Sequence, residues 1–96
     1  MSTLHIINQS PFSGKSLEQC LSVCRDGDSI LFTQDGVLVL QNQQALAVLK
    51  VAYYVLAEDA KARGLEQALS TSGAKAAGYD DFVTLVCSHQ NSVTWS

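Results

Sequence analysis

The chain has 96 residues, 47% apolar and 16% charged, with a net charge of −3. That length supports a single domain, 1–96, and excludes a two-domain enzyme. Six Lys and Arg against nine Asp and Glu argue against direct nucleic-acid binding, which needs clustered cations. The mean hydropathy of +0.11 argues against disorder. A charged fraction below the roughly 25% usual for soluble domains suggests surface reserved for a partner. No run of 18 apolar residues exists, so no membrane span is expected. Met1-Ser2-Thr3-Leu4-His5 lacks a basic stretch ahead of an apolar one, and no secretory leader is expected. Three cysteines, an odd number, fit free thiols in a reducing cytoplasm.

In chain order, Leu4 to Ile7 reads as a short buried strand. Residues 8–14 form a loop around the only proline, Pro11. A helix is expected over 17–25 with Ser16 as N-cap, because Leu17, Cys20, Leu21 and Cys24 recur at i, i+3, i+4 and i+7. Asp26-Gly27-Asp28 ends it, and residues 29–33 are a second strand. Gln34 to Val37 is a turn, and 37–49 suggests one or two short helical pieces. Lys50 to Leu56 is a strand rich in β-formers. A short helix follows, with Glu58 and Asp59 in its first turn, Lys61 and Arg63 in its last, and Gly64 just beyond. Residues 65–78 are ambiguous, with a strand possible at 73–77. The final helix spans 80–89, with Tyr79, Phe82, Val83, Val86 and Cys87 on one face, and Val93 to Trp95 closes as a strand. This alternation predicts an α/β fold: a small, mainly parallel sheet of four to five strands flanked by helices. Ligands and partners of such sheets sit beyond the carboxyl ends of the strands.

Ser13-Gly14-Lys15-Ser16 invites a phosphate-loop reading, but the first glycine of that motif falls on Gln9 and Pro11 removes a donor. Cys20 and Cys24 lie on the apolar stripe, where packing is the ordinary role of a free cysteine. At this helical spacing their Cβ atoms lie about 5–6 Å apart, too far for a disulfide. Without a C-x-x-C pair, and with only His5 and His89 to complete a set, no metal and no cofactor is expected. Cys20 lies about one turn inside a helix N-terminus, where the dipole and Lys15 would favour its thiolate; Cys24 and Cys87 sit near helix C-termini. Cys20 is therefore the candidate for sulfur chemistry. His5 and His89 are expected to be structural.

Several motifs in order resemble the DsrH/TusB family. They are Leu4-His5, Ser10-Pro11-Phe12, Gly27-Asp28, Gln34-Asp35-Gly36-Val37, Val55 to Asp59, Ala62 to Leu65, Tyr79, Asp81-Phe82-Val83, His89 and Trp95. The resemblance implies a DsrE/DsrF/DsrH-like fold and a subunit of a cytoplasmic sulfur-relay complex. Such a complex passes persulfide sulfur toward 2-thiolation of the tRNA wobble uridine. Its expected partners are TusC/TusD-like (DsrF/DsrE-like) subunits and, through the complex, a carrier of the TusE/DsrC type. A DsrH-like subunit in sulfur oxidation is the alternative role, as is a homo-oligomeric module that transfers no sulfur. In these families the principal sulfur-accepting cysteine lies on the DsrE/TusD-type subunit. Cys20 matches in register a first-helix cysteine of DsrH-like proteins, which makes it a candidate persulfide carrier; many TusB-like proteins have an apolar residue there. Residues 66–78 depart from the apolar strand usual in the family.

Overall fold

The computed structural model describes residues 2–96. Its five strands are β1 (Thr3–Ile7), β2 (Ser29–Phe32), β3 (Ala52–Leu56), β4 (Lys75–Ala77) and β5 (Asn91–Trp95). They form one sheet in the order β4-β3-β2-β1-β5, and every pairing is parallel. The expected α/β class is observed, with the upper strand number.

Parallel neighbours need crossovers, and the helices supply them. They are α1 (Ser16–Val23), a 3-10 helix (Gln34–Gln41), α2 (Gln43–Ala47), α3 (Ala57–Ala62), α4 (Glu66–Thr71) and α5 (Tyr79–Ser88). Strand alternation sends Ile7, Ile30, Phe32 and Val55 to one face, where Leu17, Cys20, Val37, Leu40, Leu46 and Ala60 cover them. Leu4 and Leu31 point to the other face and meet Ala77 and Leu85, with Phe82 packed alongside. Five helical segments thus serve one face, and α5 serves the other.

Several boundaries differ from the sequence reading. Helix α1 begins at Ser16, with Lys15 at the N-cap position and no side-chain cap. The Ser16 hydroxyl instead donates to Gln9 Oε1 at 2.6 Å. The Gln9 side chain also packs against Gly14, so the loop that resembled a phosphate cradle is filled by its own glutamine. Helix α1 stops at Val23, and Cys24 turns to extended backbone (φ −70°, ψ 138°). The ambiguous stretch splits into α4 and the three-residue β4. On α5 the buried residue is Leu85; Tyr79, Val83, Val86 and Cys87, which the sequence places on one face with Phe82, are exposed. With one layer to cover, a single helix turns only a narrow stripe inward.

Two glycines are required by backbone geometry. Gly27 has φ +90°, which lets the chain reverse between α1 and β2. Gly36 lies against the end of β1: a Cβ there would overlap the Ile7 carbonyl oxygen and lie 3.0 Å from its carbon. That same oxygen accepts the Thr33 amide at 2.9 Å, so β1 cannot yield without losing a bond to the β2 exit. Gly36→Ala is expected to destabilise the fold by about 2–4 kcal/mol. Urea unfolding of the variant measures this, and an unchanged midpoint would show that the contact relaxes at no cost.

Candidate functional site

The chemistry-bearing residues gather where α1 ends and β2 begins. His5 projects from the middle of β1 toward α1 and is buried. Trp95, at the end of β5, donates its indole N–H to His5 Nδ1 at 3.2 Å. Because an indole only donates, Nδ1 carries the lone pair and the ring proton sits on Nε2. Nε2–H then donates to Asp28 Oδ2 at 2.9 Å.

Asp28 is buried just ahead of β2 and accepts two backbone amides besides His5, Thr3 N–H at 2.9 Å and Arg25 N–H at 3.1 Å. Burial opposes its charged form, but hydrogen bonds from His5, Arg25 and Thr3 outweigh it and hold the carboxyl below its ordinary value. One carboxylate thereby ties β1, the α1 exit and the start of β2 together.

Cys20 and Cys24 complete the cluster. The donor atoms of His5, Cys20 and Cys24 all lie within 4.8 Å of one another. Cys20 is 0% exposed. Burial, then the neighbouring Cys24 and Asp28 and its own hydrogen bond to Cys24, push its thiol up to about 12. The expectation that the helix dipole and Lys15 would favour its thiolate is therefore corrected: burial dominates. Cys24 is half-buried, and its thiol is also raised, by burial and by the charge of Asp28. It lines a cavity of about 300 Å³ with Leu21, Arg25, Val48 and Lys50. Cys87 is exposed on α5, away from this cluster.

The other sequence candidates fall elsewhere. His89 donates Nδ1–H to the Leu85 carbonyl at 2.7 Å and accepts the Ser29 hydroxyl on Nε2 at 3.0 Å, pinning the end of α5 to β2. At the carboxyl ends of the strands, a cavity of about 330 Å³ is lined by Asn8, Thr33, Gln34, Asp59, Tyr79 and Phe82. Gln34 has φ +50°, and its amide donates to Asp59 Oδ2 at 2.6 Å. Arg63 bonds Asp35 from Nε at 3.2 Å and Nη2 at 3.0 Å, an exposed pair of small energetic weight. None of the cysteines lines that cavity; the thiol cluster sits toward the opposite ends of the strands. Sequence spacing missed the roles of Asp28, Trp95 and Arg25, because each acts through a partner distant in the chain. The signals were the motif pairings Leu4-His5 and Gly27-Asp28 and the near-terminal Trp95.

A small parallel α/β sheet with a buried His-Asp-Trp network beside two thiols is the class these observations define. The profile of the family described as "DsrH like protein" matches residues 9–92, and the chain belongs to that family. It is 38% identical to Protein TusB of Yersinia enterocolitica, over 96% of this chain and 99% of the relative. It is 33% identical to Protein TusB of Enterobacter sp. strain 638, over the same shares. The solution NMR structure of protein Tm0979 from Thermotoga maritima has the same fold, with a TM-score of 0.69. At 17% identity over 90% of this chain and 92% of that one, the likeness is one of fold alone. The family is the one the sequence motifs resembled, whose members are sulfur-relay subunits. Among the described residues, no helix is long and apolar enough to cross a membrane.

Proposed function

We propose that this chain is an auxiliary subunit of a TusBCD-like complex that relays persulfide sulfur toward 2-thiolation of the tRNA wobble uridine. The observation that carries this reading is its similarity to TusB proteins along nearly the whole length of both chains. The burial of Cys20 supports an auxiliary role, since thiol–persulfide exchange needs a thiolate that reaches its donor. The partners in this reading are TusC- and TusD-like subunits, and the principal sulfur-accepting cysteine belongs to one of them. The acidic net charge fits a subunit that does not itself hold tRNA.

The exposed Tyr79, Val83, Val86 and Val93 on α5 and β5 fit a protomer that is covered in an assembly. A second reading makes Cys20 itself a persulfide carrier, favoured by its register match to the first-helix cysteine of DsrH-like proteins. Co-expression with TusC- and TusD-like subunits, followed by persulfide loading and intact mass spectrometry of every chain, tests both. Stable co-purification with added sulfur on a partner alone is the expected result. Failure to associate would sink the proposal, and one added sulfur on this chain, lost in Cys20→Ser, would establish the second reading.

A further inference from the structure

We infer that His5, Cys20 and Cys24 form a binding site for a single zinc ion. Two thiols and an imidazole are the donor set that Zn²⁺ favours. Their donor atoms lie within 4.8 Å of one another. A tetrahedral zinc ion with bonds of about 2.0–2.3 Å holds its donors roughly 3.5–3.8 Å apart. Side-chain movements of about an ångström therefore close the set.

The surroundings suit a metal ligand. Asp28 accepts the Nε2–H of His5, which orients the imidazole as the carboxylate partners of metal-bound histidines do. The ion takes the Nδ1 lone pair in place of the Trp95 indole N–H, and Nε2–H stays on Asp28. Cys20 is held rigidly on α1, while Cys24 lies just past the helix end on extended backbone and is freer to adjust. Zn²⁺ replaces the two thiol protons, which leave to solvent, and forms two Zn–S bonds and one Zn–N bond without any change of oxidation state. The inference stands independently of relay membership, because it rests only on side chains of this chain.

Anaerobic titration of the reduced, metal-free chain with Co²⁺ tests it. A near-ultraviolet thiolate-to-cobalt band that saturates at one ion per chain and is abolished by Zn²⁺ is the expected result. Cys24→Ser, at a half-exposed position, should weaken binding by about a hundredfold or more, since even outer partners are worth tenfold to a hundredfold. Cys87→Ser, outside the cluster, should leave binding unchanged. No saturable band, a band that survives Cys24→Ser, or one lost in Cys87→Ser would overturn the site. Zn²⁺ should also raise the unfolding temperature of the unaltered chain. Absence of that rise overturns the inference however the variants fold.

Discussion

Replacing Asp28 with alanine is expected to lower the unfolding free energy by about 3–5 kcal/mol, because each buried donor left without its acceptor costs about 1–3 kcal/mol. The loss exceeds that of an ordinary hydrogen bond because three donors are stranded together: His5 Nε2–H, Thr3 N–H and Arg25 N–H. Asp28→Asn keeps an acceptor but forfeits the charge, and falls between the two. The same carboxylate sets an acid limit. Its pKa is lower in the folded state than in the unfolded one, so it contributes stability above the unfolded value of about 3.9. That contribution is lost as pH falls from about 4 through the lower folded value. Urea unfolding between neutral pH and pH 3 reads both effects. The original chain should lose stability across that window and Asp28→Asn should lose less. Parallel curves would show that other carboxylates carry the acid response.

The second large effect is in thiol reactivity. In the folded chain, iodoacetamide near pH 7.5 should modify Cys87 first, Cys24 more slowly, and Cys20 about a thousandfold or more slower than Cys87. The thiolate is the reacting species. A thiol pushed up to about 12 supplies almost none of it at that pH, and full burial also blocks the approach of the reagent. Peptide mass spectrometry over a time course resolves the three sites. Labelling of Cys20 at a rate comparable to Cys87 would mean that α1 opens readily, and would return Cys20 to contention as a carrier. The linked stability runs the opposite way from Asp28. A thiol raised above its ordinary value of 9.0 favours the folded state below pH 9, and that advantage fades as pH climbs toward 12.

How far the cluster matters to a sulfur-relay subunit depends on where it lies. The expectation from parallel α/β sheets was a site beyond the carboxyl ends of the strands. A cavity does lie there, walled by Gln34, Asp59 and Tyr79. The thiols, however, lie where α1 returns to the start of β2, because α1 runs back along the sheet and releases Cys24 at its lower edge. The two regions are separate surfaces, so one could be occupied by a partner while the other is free.

The sequence by itself determined the order of the strands along the chain, the parallel α/β class and the family. Those follow from patterns local in sequence: apolar runs at Leu4–Ile7 and Ile30–Phe32, the dipole-matched charges of Glu58 to Arg63, and motifs such as Gln34 to Val37. It left 65–78 open, because alanine, glycine and serine carry little helix or strand preference there, and packing against the sheet decided between α4 and β4. It grouped Tyr79, Val83 and Cys87 on one face of α5 but did not decide the exposure of that face, since an apolar stripe does not say whether a neighbouring layer exists to cover it. Only the tertiary structure brought His5, Asp28 and Trp95 together, across 23 and 90 positions of chain, and set them beside Cys20 and Cys24. Spacing rules see ligands and partners that are close in sequence; parallel pairing of β1 with both β2 and β5 places together residues that the sequence holds far apart. Burial likewise settled the state of Cys20, because desolvation depends on the sheet and helix around a thiol rather than on its place along the helix.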